Sequence, residues 1–413
     1  MSTPEHRYSR SEQLLRRAEA LIPGGYHLSG RPLLAPSRAP LYLERGSGCR
    51  VWDVDGHEYI DFFMAFGPYL LGYANPQVDR AAIAQLSSGG LLSLNHPVHL
   101  RFVERVVSRF PGAEMGMFFK TGSEATTAAL RIARRVTGRR KVARCGYHGW
   151  HDWCLPREDF VPEGLAEQVL ELRADDPSTL AAIFDAHPKQ IAAVIVAPEM
   201  ARSPSRETFA RLIEMTHREG AVFVMDEIKT ALRIAPGSMQ ERLGVEADLT
   251  TVSKALGNGW PVAALVGKRD VMKAGAGLHC SATFHGDTAP MAAALAVLDI
   301  LDRKDPIDVT AHVWRLGERL IAGLNEIARR HRVPAEAYGE PLPPMPFLRF
   351  SHADPSRNDA ARGAFFEDVI ARGVLLHPRH LWFISAAHTD ADVTRALDAA
   401  DHGMAAARAI LDL

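Results

Sequence analysis

Residues 221–254 read AVFVMDEIKTALRIAPGSMQERLGVEADLTTVSK, and two short stretches inside them decide the fold. AVFVMD (221–226) and DLTTVS (248–253) are too short for helices; the first is apolar along most of its length, and LTTV in the second reads as a short buried strand. Each ends in charge: Asp226 and Glu227 close the first, and Lys254 follows the second. A charged group at the end of a buried strand is costly unless something there meets it.

Working outward, IAAVIVA (191–197) and AALVG (263–267) have the same character, and helical segments such as 98–110 and 124–137 alternate with them. This alternation predicts a mainly parallel sheet covered by helices on both faces. In such sheets ligands bind beyond the carboxyl ends of the strands. Before residue 75, RSEQLLRRAEAL (10–21) has helical spacing and stops at Pro23-Gly24-Gly25. LYLE and CRVWDV alternate apolar and polar residues around an RGSG turn, and VDGHEYIDFF holds an Asp-Gly turn, so residues 41–63 are expected to be antiparallel strands. The last hundred residues carry helices, the Pro-rich EPLPPMPFLRF and an expected strand, LWFIS. The domains are therefore expected at 1–60 (part of a small domain), 61–300 (large, ligand-binding) and 301–413 (the rest of a small α+β domain).

Bulk properties exclude several classes. The chain has 413 residues, 48 basic and 49 acidic, so its net charge of −1 gives no electrostatic reason to bind nucleic acid or an anionic membrane. The four cysteines form no CxxC pair, so neither a disulfide framework nor a cysteine-rich zinc site is expected. The polar N-terminus lacks the apolar core of a secretory signal, and no run approaches the roughly 18 apolar residues of a membrane span. The expected setting is cytoplasmic.

Four elements carry chemistry. In FFKTGSEATTAALRIARRVTG, the polar turn Thr121-Gly122-Ser123 opens a helix and can direct N–H groups and hydroxyls at an anion. Alternatively Ser123 is only an N-cap, with Thr126 or Thr127 completing the first turn. In GYHGWHDW (146–153), Tyr147 and Trp150 offer faces for a ring, while His148, His151, Asp152 and Cys154 invite a metal reading whose spacing fits no zinc pattern. Asp226 is either a desolvated anionic partner or a helix cap. Lys254 is either a nucleophilic amine made neutral by burial, or the ion-pair partner of Asp226 or Asp248. Together they form an anion cradle, a stacking face, a carboxylate and a desolvated lysine at strand ends of one sheet. Pyridoxal 5'-phosphate requires those four things.

The ordered motifs IPGGYHLSGR, WDVDGHEYIDF, GPYLLGYANPQV, KTGSEAT, GYHGWHD, VMDEIKTALR, SKALGNGWPVAALVG, SATFHGDTAPMAAA and ISAAHTDADV span nearly the whole chain. They resemble the class III (subgroup II) pyridoxal-phosphate aminotransferases of fold type I, in the branch of glutamate-1-semialdehyde 2,1-aminomutase, and the resemblance implies a large α/β domain whose mainly parallel sheet has seven strands. The resemblance implies that Lys254 carries the cofactor Schiff base and Asp226 holds the pyridine nitrogen protonated. It implies Tyr147 and Ile228 against the ring, Gly122 and Ser123 on the phosphate, and Thr121 and His148 beside them. Thr283 would reach the phosphate of the neighbouring subunit, making a homodimer with a shared site, and Arg31 would bind a substrate carboxylate.

Three departures stand out. The segment after HGWHDW is short, alanine and leucine precede the arginine in DEIKTALR, and His377-Pro378-Arg379-His380 replaces an SQFE-type stretch. The first and last fall where substrate is held. They point to an intermolecular aminotransferase joining an amino acid donor and a keto acid or aldehyde acceptor, with Arg31 on a carboxylate and Arg379 a second contact. An aminomutase or racemase on the same fold, a metal-dependent hydrolase using His148, His151 and Asp152, and a non-catalytic binding protein are the alternatives. Lys254 and Asp226 argue against the last.

Overall fold

The computed structural model describes residues 8–25, 41–155, 161–200, 204–304, 306–339 and 342–411. They form two compact units: Met1–Asn75 with Ala311–Leu413, and Pro76–Thr310. The sequence reading placed these joins at 60 and 300.

The unit built from both termini begins with helix α1 (Ser9–Glu19). Strands β1 (Leu43–Ser47), β2 (Arg50–Asp53) and β3 (Glu58–Asp61) follow as an antiparallel meander. Most of RGSG belongs to β1 rather than to a turn, which centres instead on Gly48 at φ +59°. The Asp-Gly turn forms as read, with Gly56 N–H donating to the Asp53 carbonyl at 3.1 Å. A late strand, Val374–Leu375, lies parallel to β3. LWFIS is not a strand. Its Trp382 and Ile384 N–H groups donate to the carbonyls of Pro346 and Pro344 (2.8 and 3.0 Å). Prolines can accept but not donate, so no reciprocal ladder is possible, although Trp382, Phe383 and Ile384 are fully buried.

The other unit holds the seven-stranded sheet. Its strands are β4 (Met115–Phe119), β5 (Lys141–Cys145), β6 (Val169–Glu171), β7 (Ile191–Val196), β8 (Val222–Asp226), β9 (Leu249–Val252) and β10 (Ala263–Gly267), in the spatial order β4-β10-β9-β8-β7-β5-β6. Strands β7 to β10 are buried at every position, so helices or loops cover both faces. The pairs from β6 through β9 are parallel. AALVG, read as one of the parallel strands, runs antiparallel to both its neighbours. The reason is length: residues 253–262 turn through GNGWP without a crossover helix, and a parallel return needs one.

Helix α2 (Pro76–Leu86), helix α3 (Pro97–Val107) and helix α4 (Gly122–Thr137) lead into this unit. Helix α4 lays Ala125, Ala128, Ala129, Ile132 and Ala133 on Val142, Ile195, Val224, Leu249 and Leu265, which fixes its N-terminus beside the strand ends. Among the described residues no helix is long and apolar enough to cross a membrane.

Candidate active site

Asp226 ends β8 and is 3% exposed. It sits opposite Thr251 of β9, whose Oγ1 donates to Asp226 Oδ1 at 2.9 Å, and the Ile228 N–H reaches the same oxygen at 3.2 Å. The other oxygen meets His148 Nδ1 at 2.6 Å. Asp226 therefore caps no helix. The next helix along the chain is short (Met239–Leu243) and takes Ser238 as its cap. Three donors on a buried carboxylate satisfy it and fix its direction.

His148 follows β5 and is itself buried, its ring stacked on Trp153 at 5.9 Å and 15°. Its carbonyl accepts from Thr126 Oγ1 at 2.8 Å. Thr127 Oγ1 lies 2.7 Å from His151 Nδ1 and accepts from Trp153 Nε1 at 2.8 Å. The two threonines lie in the first turns of α4, where Thr126 Oγ1 also reaches the Ser123 carbonyl at 3.1 Å, and their hydroxyls pin the GYHGWHDW loop as well. The cluster read as a possible metal set is dispersed: His148 goes to Asp226 and His151 to Thr127. Burial pushes the Cys154 thiol up to about 12, far from a ready thiolate. Among the described residues no group of three or more His, Cys, Asp or Glu side chains is placed to hold a metal.

The cap of α4 is Thr121, not Ser123. Thr121 Oγ1 accepts from the Glu124 N–H at 3.3 Å, and Glu124 Oε2 accepts from the Thr121 N–H at 2.8 Å. Gly122 and Ser123 are then the first residues of a 16-residue helix, with N–H groups that have no intrahelical acceptor. A Cβ on Gly122 would lie 2.5 Å from Ile228 Cδ1, and one on Gly149 (φ +125°) would overlap Ser123 Oγ. Neither position has room for a side chain, so the loop and the start of α4 pack closely here. Gly149→Ala is accordingly expected to weaken cofactor binding by at least about tenfold, through the left-handed backbone and the collision with Ser123 together. Equilibrium dialysis of the cofactor against wild type and variant measures it; unchanged affinity would remove Gly149 from the cradle.

Lys254 begins the turn after β9, in the left-handed region at φ +47°. Desolvation pulls its amine down to about 7, and the nearby Lys229 ammonium adds to the effect. The alternative partner Asp248 is already engaged by Lys268 and His217, at 2.8 and 2.9 Å. Of the expected residues, Gly122, Ser123, Tyr147, His148, Asp226, Ile228 and Lys254 line one cavity of about 150 Å³. Thr121 stands behind it as the helix cap. Thr283 lies on the same unit, exposed beside Phe284. Arg379 is exposed on a turn of the other unit, where its N–H donates to His377 Nδ1 at 3.1 Å. Arg31 lies outside the described residues.

Sequence reasoning missed Glu199, Lys229, Gly149 and Ser253, which also line the cavity, and Thr251, which orients Asp226. Glu199 follows the apolar run of β7 as Asp226 follows that of β8, and this repetition was the available signal.

The donor set fits pyridoxal phosphate, with free helix N–H groups for a phosphate, a buried carboxylate for a ring nitrogen and a low-pKa amine for an aldehyde. Comparison with known proteins agrees. A family model described as Aminotransferase class-III matches residues 34–340. The chain is 33% identical to the 3-aminobutyryl-CoA aminotransferase of Cloacimonas acidaminovorans (strain Evry), over 98% of each chain. It is 34% identical to the glutamate-1-semialdehyde 2,1-aminomutase of Chloroflexus aggregans (strain MD-66 / DSM 9485), over 98% of this chain and all (100%) of that one. The PLP internal aldimine form of the Sphingopyxis sp. MTA144 FumI protein superposes with a TM-score of 0.90 at 31% identity, covering 98% of this chain and 97% of that chain. The chain belongs to the class III aminotransferases, pyridoxal-phosphate enzymes of fold type I.

Proposed function

We propose that Lys254 is the amine that bonds the cofactor, and that the enzyme joins an amino acid donor to a keto acid or aldehyde acceptor across one cavity. The observation that carries this reading is the placement of Asp226 and Lys254 at the ends of adjacent strands, in the cavity that the N-terminus of α4 also lines. When bound, pyridoxal phosphate supplies an aldehyde carbon for the donor's nitrogen and a ring that withdraws the electron pair left behind by the Cα proton. Gly122 and Ser123 hold the phosphate through their N–H groups. Asp226, oriented by His148 and Thr251, holds a proton on the ring nitrogen. Tyr147 and Ile228 bracket the ring. Lys254 Nζ would take the donor's Cα proton as base and, as acid, would deliver it to the carbon that had been the aldehyde rather than back to Cα.

A cytoplasmic homodimer is the proposed working form. Thr283 and Phe284, the latter 64% exposed, offer a segment that a neighbouring subunit can receive, with Thr283 on the neighbour's phosphate. Exposed Leu91, Leu92 and Leu94 in the same unit support an interface. The free cysteines suit a reducing compartment.

The test is a screen of amino donors against the purified yellow holoenzyme, following loss of the visible band, with acceptors then restoring it. Since one relative is named for a 3-aminobutyryl thioester, β-amino donors belong at the front of that screen. If no donor bleaches the enzyme, the reading fails. A product formed from one substrate with no acceptor would instead favour the aminomutase or racemase. Arg31 and Arg379 are the proposed carboxylate contacts. Arg31→Ala is expected to raise KM for carboxylate donors by about 10–100-fold, with a smaller rise for Arg379→Ala, consistent with charge-assisted hydrogen bonds. Unchanged KM across carboxylate donors would remove Arg31 from substrate binding.

A further inference from the structure

The cavity that holds Lys254 contains a second ammonium. Lys229, on the turn after β8, places Nζ 2.6 Å from Glu199 Oε1, and the two side chains are only 11% and 3% exposed. Glu199 follows β7, the parallel neighbour of β8, so the pair bridges two adjacent strand ends at the cavity wall. An ion pair taken out of water is a poor way to gain stability, because apolar side chains of the same size pack as well without the desolvation loss. Lys229 is also not needed to satisfy Asp226, which already has His148, Thr251 and the Ile228 N–H.

What the pair does have is a position beside Lys254. The charged groups that bear on the Lys254 nitrogen are Lys229, Glu199, Arg233 and Asp226, and Lys229 is foremost among them after burial itself. Burial works against the Lys229 ammonium, and Glu199, with Asp226 and Tyr147 behind it, more than offsets the loss, so Lys229 stays charged. We propose that Lys229 and Glu199 form a positioning pair that sets the proton affinity of the Lys254 nitrogen. The Lys229 ammonium disfavours a second cation in the same cavity, and Glu199 holds that ammonium charged and in place. Neither residue needs to touch the reacting atoms. The inference rests on the reading of Lys254 as the cofactor-bonding amine.

The experiment is a pH titration of the visible absorbance of the holoenzyme, together with the acid limb of kcat/KM. Lys229→Met removes the like charge and leaves a carboxylate near Lys254, so its midpoint should rise by about one pH unit. Lys229→Arg keeps the charge and should stay at the wild-type midpoint. Lys229→Met combined with Glu199→Gln removes both charges, and should rise less than Lys229→Met alone. Should the single variant fail to fold, the double variant still reports, because the Lys229 effect on Lys254 exceeds the opposing one of Glu199. A Lys229→Met midpoint equal to wild type, a double variant that rises as far as the single one, or a double variant with no rise when it alone folds, overturns the proposal. Lys254→Ala separates the two readings. If it keeps the coloured titration, the assignment of Lys254 fails; if it loses the titration while Lys229→Met leaves the midpoint unmoved, only the pair's role fails.

Discussion

Lys254→Ala is expected to lower the turnover of amino-group transfer by about 10⁴-fold, the upper end of what a positioned acid–base group contributes. The expectation follows from position before chemistry. Lys254 sits at the end of β9 in a left-handed conformation that aims its side chain into the cavity shared with Asp226 and Ser123. Burial and the Lys229 charge lower its amine to about 7, so that near neutral pH about half of it is already a neutral base. On the proposed reading alanine would remove both the bond to the cofactor and the proton carrier, while Gly122, Ser123 and Asp226 would keep their geometry. Cofactor should therefore still bind, more weakly and without the wild-type visible band. Single-turnover assays with a donor that bleaches the wild type measure the loss. Partial recovery with a small exogenous amine would mark the missing function as proton transfer. Turnover within tenfold of wild type would sink the assignment.

The same amine predicts a pH dependence with a defined sign. Its folded pKa is below that of an ordinary lysine, so the neutral, basic form is lost as pH falls through about 7. Any step in which free Lys254 takes a proton should slow about tenfold per pH unit below that point.

How much of this was legible in the sequence depends on what each residue type can hide. Asp226 and Lys254 were visible because charge at the end of a buried strand requires a compensating partner. The capping box was visible too: Thr121 and Glu124 have the T-x-x-E spacing, and reading it would have released Ser123 from the cap. The direction of β10 was hidden from periodicity, because an apolar pentapeptide looks alike in either direction. Only the short GNGWP connection distinguishes them. LWFIS was misread because strand propensity describes one chain, whereas a ladder needs donors on its partner, and Pro344 and Pro346 have none. The His148–Asp226 pair joins residues far apart in sequence, so GYHGWHDW showed its stacking aromatics but not the partner that draws His148 away from a metal reading. The Lys229–Glu199 pair was hidden for the same reason.

Asp226→Asn is the second large effect, expected to lower kcat/KM by on the order of 10³-fold, as loss of a preorganised electrostatic contact does. Asparagine keeps the volume and can still accept from Thr251 and the Ile228 N–H, so the end of β8 should hold its shape. What it cannot do is present an anion to a protonated ring nitrogen, and without that proton the ring loses most of its capacity to delocalise a carbanion. In a buried site water cannot substitute for the missing charge. Asp226→Ala differs in kind. It strips His148 Nδ1 of its partner at 2.6 Å and leaves Thr251 Oγ1 without an acceptor, so a fall in melting temperature should accompany the kinetic loss. Thr251→Val tests the support alone: Asp226 loses one donor, and the expected loss is about tenfold, corresponding to about 1.4 kcal/mol of hydrogen bond to a charged group. Thermal melts separate the two contributions. An Asp226→Asn enzyme with normal stability, bound cofactor and a thousandfold slower reaction places the effect in the charge; one within tenfold of wild type shows that the carboxylate serves only to hold His148.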